Sequence, residues 1–207
     1  VENAAFLYRH HNLLRTNALG NFKTLVREVT IDPAMLIHLN GYLNSKQAPD
    51  ENYARELQEL FSVGRGNDSL YTEDDVIAAA RVLTGWRITD NPLGVYLNTN
   101  AHDTGSKNFS AFYNNTTISG STDPNQELDA LMNMIFNTTE AARFICRKLY
   151  KWFVYYDISD TVEAEVIAPM ADVLKNNNYD VKPVLAVLFK SEHFFETLNQ
   201  ACYIKSP

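Results

Sequence analysis

The sequence predicts a mainly α-helical fold, namely a single helical domain with a small β hairpin in the stretch 87–123. Apolar residues recur at helical spacing along most of the chain, and several of these segments open with capping residues. The stretch 87–123 differs, because it is polar and contains short alternating pieces typical of small strands. The chain has 207 residues, 45% of them hydrophobic, so it can bury a substantial core. We therefore expect one domain over residues 1–207.

The first predicted helices cover residues 3–15 and 20–29, where apolar residues recur at helical spacing among polar ones. A third helix is predicted to run through Leu39. Asp32-Pro33 resembles an N-cap followed by proline at the first helical position, where proline is well tolerated.

The predicted helix 51–62 has a core-facing stripe of about 120° on a helical projection. That stripe contains Tyr53, Ala54, Leu57, Leu60 and Phe61. The opposite face carries Glu51, Arg55, Gln58, Glu59 and Ser62. The pattern predicts that the second set faces solvent.

The next helix is predicted to be central to the domain. Thr72 followed by Asp75 is a variant of the capping box, with Asp in place of Glu or Gln. The helix that follows runs to about Thr84 and is apolar on nearly every side. Only Asp74 and Arg81 form a narrow polar stripe, so we expect this helix to be surrounded by other elements.

In the polar stretch 87–123, the segments Val95–Leu97 and Phe109–Tyr113 are the predicted strands. Helices are predicted to resume afterwards. They cover 124–136, 139–156, 160–174 and 183–189, with a further turn at 191–195.

Composition excludes several classes of function. The net charge of −7 argues against non-specific nucleic-acid binding, which needs basic residues to displace counterions. The sequence contains no cluster of basic residues, so an anionic membrane surface is not an expected partner. The apolar runs are shorter than the roughly 18 residues of a membrane-spanning helix, so no transmembrane segment is predicted. Because the chain begins with Val1 and not with Met, we expect it to be a fragment of a longer protein.

The cysteines and short motifs give no direct indication of catalysis. Cys146 lies on an apolar helix face and is predicted to be a buried, unreactive thiol. A disulfide with Cys202 would require an oxidising compartment. None of the short motifs of serine hydrolases, zinc proteases or nucleotide-binding proteins occurs. The sequence predicts no cofactor, and it leaves metal binding open.

His102-Asp103 is the pair most typical of a chemical site. Histidine serves as metal ligand and general base, and loops carry function more often than the elements that support them. Adjacent residues of a strand point apart, so partners such as Glu56 or Glu59 would have to come from helix 51–62. The alternative is that His102 and Asp103 are structural or surface residues, and the dipeptide by itself does not decide between the two.

The charges of helix 51–62 also have two interpretations. Glu51–Arg55 and Arg55–Glu59 are i,i+4 pairs, which stabilise an exposed face by about 0.2–0.5 kcal/mol each. The other interpretation is a buried charge network, which would be costly and would mark a specificity device or a site.

The run ENYARELQELFSVGRGNDSLYTEDDVIAAARVLTGW, residues 51–86, resembles the signature of the bacterial family called domain of unknown function 1800. The resemblance continues in HDTGSK (102–107), RKLYKWFV (147–154) and VLAVLFKSEHFF (184–195). It implies that Asn52, Arg55, Glu59, Asp75, Arg81 and Trp86 form a binding or structural network. It also favours an interior position for Arg55 and Glu56. A further implication is that Arg55 or Arg81 clamps one of the carboxylates of Asp75, Asp103 and Glu59.

The resemblance further implies an exported protein, at the periplasm or cell surface. Genes of this family often neighbour one resembling the alkaline phosphatase and sulfatase group, whose product is a candidate partner. We expect a non-enzymatic exported module that binds a partner protein or envelope polymer. The alternative is a metal-assisted or acid–base hydrolase of envelope or carbohydrate substrates that uses His102, Asp103 and Glu56. If the partners of Arg55 are buried, Arg55→Ala should cost about 3 kcal/mol of folding free energy.

Overall fold

The structure, a computed structural model, describes residues 3–66 and 69–199 and is mainly helical with two small antiparallel hairpins. This confirms the predicted fold class. The helices are α1 (Ala4–Asn17), α2 (Phe22–Thr30), α3 (Pro33–His38), α4 (Asn52–Glu59), α5 (Glu73–Val82), α6 (Pro124–Asn137), α7 (Thr139–Phe153), α8 (Asp160–Val162), α9 (Ala168–Asn176) and α10 (Val181–Lys190). A π turn, Glu163–Ile167, joins α8 to α9.

The two predicted helix caps are confirmed. Asp32 Oδ1 accepts hydrogen bonds from the backbone N–H groups of Ala34 at 3.0 Å and Met35 at 3.3 Å, at the start of α3. At the start of α5, Thr72 and Asp75 form the reciprocal capping box. Both caps satisfy backbone donors that a helix leaves without internal partners.

The buried face of α4 differs from the predicted stripe. Leu57 is buried as predicted, but Gln58 and Ser62 are only 1% and 0% exposed, whereas Leu60 is 51% exposed. The prediction is wrong for Leu60 and Ser62 because α4 ends at Glu59, so the periodic projection no longer applies beyond it. Gln58 lies within α4, and its predicted solvent exposure is wrong because Tyr113 of the polar stretch packs against it.

Gln58 tolerates burial because its amide has hydrogen-bond partners. The Tyr113 hydroxyl donates to Gln58 Oε1 at 2.7 Å, and Gln58 Nε2 donates to the Ala54 carbonyl at 3.1 Å. A buried amide with both ends satisfied avoids the cost of desolvation. These bonds also attach the polar stretch, through Tyr113, to α4.

α5 lies at the centre of the fold, as predicted. It packs against α4 on one side and α6 on another. Val76, Ala79 and Ala80 are fully buried, and Ile77, at 41% exposed, is the exception on its apolar surface. Small alanines allow neighbouring elements to approach the helix closely.

The polar stretch forms two hairpins, where one was predicted. The first pairs β1 (Trp86–Asp90) with β2 (Leu93–Leu97), and the second pairs β3 (Lys107–Asn108) with β4 (Thr117–Ile118). The prediction of a strand at Phe109–Tyr113 is wrong, because Ala111–Tyr113 forms a 3₁₀ turn. The rings of Phe109 and Tyr113 are both buried and pack edge to face, with their centroids 5.8 Å apart. The apolar residues of 109–113 therefore pack against each other around a turn and do not form a strand.

Cys146 is fully buried on α7, and burial raises the pKa of its thiol to about 12. This agrees with the prediction of a buried, unreactive thiol. Cys202, the other half of the considered disulfide, lies outside the described residues. Among the helices of residues 3–66 and 69–199, none has both the length and the apolar character to cross a membrane.

Candidate functional site

His102 lies in the interior, just after a 3₁₀ turn that follows β2, and is 1% exposed. Its Nδ1 is 2.9 Å from the Thr84 carbonyl oxygen, and its Nε2 is 3.1 Å from Glu127 Oε1. Gly85 makes this close approach possible, because a Cβ at position 85 would lie only 3.0 Å from the Cβ of His102. The φ angle of Gly85 is +97°, which side-chain-bearing residues rarely adopt. The segment therefore packs directly on the backbone that follows α5.

Glu127, in the first turn of α6, connects His102 to a buried lysine. Glu127 is 1% exposed and Lys107 is 0% exposed. Lys107 Nζ donates to Glu127 Oε2 and to the Asp103 carbonyl oxygen. The backbone N–H of Ser121 donates to Glu127 Oε1 at 2.6 Å. Both oxygens of this buried carboxylate thus have donors, as a buried charge requires.

These contacts occupy both ring nitrogens of His102. Nδ1 faces a carbonyl oxygen, which can only accept, so this nitrogen carries a hydrogen. Nε2 faces the Glu127 carboxyl group. In this arrangement neither nitrogen is open to a metal ion or to a substrate proton, because both face protein atoms within the interior.

Arg81 clamps Asp103 through two hydrogen bonds, which is one of the several pairings that the resemblance left open. Arg81 Nε lies 2.7 Å from Asp103 Oδ2, and Nη2 lies 3.4 Å from Oδ1. Partial burial acts to raise the pKa of Asp103, but hydrogen bonds from Arg81 and from the Gly105 N–H outweigh it and hold that pKa below its ordinary value. The pair fixes the chain beside His102 to α5.

The backbone next to the clamp is held by Thr84. Its hydroxyl accepts a hydrogen bond from the Asp103 N–H at 2.8 Å and donates to the Arg81 carbonyl at 2.8 Å. We name the set Thr84, His102, Lys107 and Glu127 the buried polar cluster. It joins α5, the polar stretch and α6 through side chains that solvent does not reach.

Sequence reasoning named His102, Asp103 and Arg81 but missed Glu127 and Lys107. A signal for Glu127 was present. It stands four residues before Leu131 and eight before Ile135, on the apolar face of its helix. A charged residue on such a face requires a buried partner. Lys107 has no comparable signal, because its burial depends on the path of the polar stretch.

Arg55 occupies the surface, so the prediction of an interior network around it is wrong. Its Nη1 and Nη2 lie 2.9 and 2.7 Å from the two carboxylate oxygens of Glu73, and Nη2 lies 3.1 Å from Glu51. The Arg55 side chain is 33% exposed and that of Glu73 is 72% exposed. Arg55 does join α4 to the start of α5, but through solvent-exposed carboxylates.

The other charged residues of α4 stay apart from His102. Asn52 is exposed, and Glu59 forms an ion pair with Arg65 at 3.4 Å. Glu56 is half-buried, and its side chain has no hydrogen bond or ion pair with any described residue. The structure thus brings His102 to Glu127 and not to Glu56, and a catalytic role for His102, Asp103 and Glu56 remains a prediction.

Asp75 and Trp86 complete the predicted set. Asp75 is fully buried, and its Oδ1 accepts from the Ser110 N–H at 2.7 Å while Oδ2 accepts from the Thr72 N–H at 2.7 Å. Trp86 is 6% exposed, and its indole nitrogen has no hydrogen-bond partner among the described residues. Within the same part of the chain, no group of three or more His, Cys, Asp or Glu side chains is placed to hold a metal ion.

The comparison with protein families agrees with the sequence motifs. A family model described as protein of unknown function (DUF1800) matches residues 1–207. The chain belongs to the DUF1800 family. No curated protein and no solved structure matches it significantly.

In this DUF1800 chain, the residues that carry the family resemblance have structural contacts. Thr84 and Asp103 hydrogen bond to each other, Gly85 packs against His102, and Asp75 caps α5. In this chain these contacts hold the polar stretch against α5 and the residues that follow it.

Proposed function

We propose that this chain is a non-enzymatic module of an exported protein and that it binds a partner protein. The observation that carries the proposal is an apolar groove with an exposed tryptophan on its edge. The hydrolase alternative has less support, because His102 is buried and both of its nitrogens face protein atoms.

The groove lies beside α7 and has a volume of about 280 Å³. Trp152 on its edge is 62% exposed, although tryptophan side chains usually bury most of their surface. We name it the Trp152 groove. Its apolar side chains are Ala18, Phe22, Leu25, Phe61, Phe144, Ile145, Leu149, Trp152 and Val181.

The charges around the Trp152 groove indicate the chemistry of the partner. Lys148 lines the groove with its Nζ 4.8 Å from the centre of the Phe144 ring, and Lys151 is exposed one residue before Trp152. The whole chain has a net charge of −7, so a lysine-edged apolar groove stands out on it. The complementary surface is an amphipathic segment with apolar residues flanked by acids.

The experiment measures binding to the product of the neighbouring phosphatase- or sulfatase-like gene, the candidate that the family resemblance implies. We expect Trp152→Ala to weaken binding at least about tenfold, since exposed tryptophans are frequent hot spots at interfaces. Lys148→Glu should weaken binding more strongly at low salt than at high salt.

Tyr8→Ala is the matched control, because Tyr8 is an aromatic residue on α1 that is 72% exposed and does not line the groove. It should leave the affinity unchanged. A complex with equal affinity for the wild type and Trp152→Ala, or no complex at all with that gene product, would contradict the proposal.

A further inference from the structure

A pocket of about 610 Å³ is lined by residues of α2, α6 and α9. Lys23 of α2, Asn133 of α6 and Lys175 of α9 contribute to its walls, together with Asn178 in the turn that follows α9. Within the described ranges, the pocket shares no lining residue with the Trp152 groove. It is therefore a second candidate site that is independent of the proposed function.

The two lysines bring positive charge to this pocket without a matching carboxylate. Lys23 and Lys175 are both half-buried, and neither forms an ion pair in the part of the chain that the structure describes. No aspartate or glutamate of that part lines the pocket. On a chain with 25 acidic and 18 basic residues, such a pocket stands out. Partly buried cations that lack a counter-charge favour the binding of an anion.

Acidic residues on the neighbouring segments have other contacts or face solvent. Asp129 of α6 accepts a hydrogen bond from Arg27 Nε. Asp180, the N-cap of α10, accepts from the Lys182 N–H at 3.1 Å. Asp172 of α9 is exposed and does not line the pocket. The positive charge of the two lysines therefore remains available to a ligand.

The polar side chains of the pocket offer more donors than acceptors. Lys23 Nζ donates to Asn133 Oδ1 in a solvent-exposed hydrogen bond, which leaves two N–H groups on the ammonium and two on the Asn133 amide. Lys175 Nζ and the side chains of Asn137 and Asn178 have no hydrogen bond to any described residue. A ligand rich in acceptor oxygens matches this set of N–H groups.

The turn that carries Asn178 is fixed by its neighbour Tyr179. The φ angles of Asn178 and Tyr179 are 49° and 66°, in the left-handed region that residues other than glycine rarely adopt. The Tyr179 N–H donates to the Leu174 carbonyl and the Phe22 N–H donates to the Tyr179 carbonyl, both at 2.8 Å. The Tyr179 hydroxyl donates to the Phe136 carbonyl in the interior. The backbone at the pocket wall is thus ordered before a ligand binds, which lowers the cost of binding.

The donor types distinguish one class of anion from another. The rigid fork of an arginine matches a planar carboxylate best, and no arginine among the described residues lines this pocket. Lysine ammonium groups act as point charges and often bind phosphate. Lys23 and Lys175 come from two different helices, so they can approach different oxygens of one tetrahedral anion. The volume lies within the roughly 300–1,000 Å³ of small-molecule sites and leaves room for an organic group.

We propose that the Lys23–Lys175 pocket binds the phosphate or sulfate group of a small organic ester. The tetrahedral oxyanion accepts hydrogen bonds from the ammonium groups of Lys23 and Lys175. The amides of Asn133 and Asn178 donate to the remaining oxygens of the ligand.

The test is a titration at constant ionic strength, so that charge screening is the same for every probe. The probes are glucose 6-phosphate and glucose 6-sulfate, which separate the two oxyanions. Inorganic phosphate and sulfate separate a free ion from an ester, while glucose and glucuronate are the neutral and carboxylate controls. The side-chain amide signals of Asn133 and Asn178 in proton–nitrogen NMR spectra report binding. At least one ester should give saturable shifts, and glucose should give none.

Variants test the role of the two cations. Lys23→Ala and Lys175→Ala should each weaken binding of the active ester about tenfold or more, because each removes one charged donor from the oxyanion. Lys190→Ala removes an exposed lysine of α10 that does not line the pocket, and it should bind like the wild type. Thermal unfolding checks that all three variants are folded.

Four results would overturn the proposal. One is the absence of saturable shifts with both esters. Another is equal affinity for glucuronate, which indicates a general preference for anions. Inorganic phosphate or sulfate that binds as tightly as its ester would exclude a role for the organic group. The last is unchanged affinity for the ester in folded Lys23→Ala and Lys175→Ala variants.

Discussion

At the scale of single residues, burial separates charged side chains that look alike in the sequence. Arg55 bridges two exposed carboxylates, and such surface pairs contribute about 0–1 kcal/mol. Lys107 and Glu127 form a pair that solvent does not reach. Removing one member of a buried pair leaves an uncompensated charge and costs about 3–5 kcal/mol.

This difference predicts losses of stability of very different size for two substitutions. Lys107→Met should lower the free energy of unfolding in urea by about 3–5 kcal/mol, because Glu127 loses its cationic partner in the interior. Arg55→Ala, the matched removal of a cation at the surface, should cost at most about 1 kcal/mol. This smaller loss of stability for Arg55→Ala replaces the value of about 3 kcal/mol that the sequence predicted for buried partners.

A double-mutant cycle gives the control for Lys107. Replacing Glu127 with glutamine in the Lys107→Met background should recover part of the lost stability, since no unpaired carboxylate remains and the amide oxygen still accepts from the Ser121 N–H. Equal destabilisation by Lys107→Met and Arg55→Ala would contradict the assignment of the buried polar cluster.

At the scale of elements, α5 organises the polar stretch through its start and its end. Asp75 at its first turn holds the Ser110 N–H, and Arg81 in its last turn holds Asp103. The stretch itself has only two short hairpins. Its conformation therefore depends on these side-chain contacts with helices more than on its own strand pairing.

Asp75→Ala should remove two contacts, namely the hydrogen bond from the Ser110 N–H and the capping box at the start of α5. We expect a loss of about 1–3 kcal/mol of stability, since the partly buried Ser110 N–H would lose its acceptor and α5 would lose its capping carboxylate. Amide hydrogen exchange at Ser110 should become faster. Asp74→Ala, at the exposed neighbouring position, is the control and should leave that amide protected. Unchanged exchange at Ser110 in Asp75→Ala would refute the contact.

At the scale of the whole molecule, the Arg81–Asp103 pair links stability to pH. The pKa of Asp103 lies below its ordinary value of 3.8 in the folded protein. Its ionised form is therefore favoured by folding. That stabilisation is complete above the unfolded-state pKa and is lost as the pH falls through the folded-state pKa.

Asp103→Asn should accordingly be less sensitive to acid than the wild type. Unfolding free energies measured from neutral pH down to about pH 2 should fall less steeply in the variant below about pH 4, where the unfolded Asp103 takes up its proton. The remaining carboxylates titrate in both proteins and cancel in the comparison. Parallel curves would show that Asp103 does not contribute to the acid response.

The sequence by itself determined the helical fold class, the caps at Asp32 and Thr72 and the central position of α5, because these depend on neighbours within about one or two helical turns. It also indicated, through the family resemblance, that Arg55 or Arg81 could clamp one of Asp75, Asp103 and Glu59, without choosing the pair. Only the tertiary structure decided which charges are buried. His102 and Glu127 are 25 residues apart, and their contact depends on the path of the polar stretch between them. The Lys23–Lys175 pocket likewise arises between residues of α2, α6 and α9. Periodicity describes the faces of one element, whereas a site forms where several elements meet.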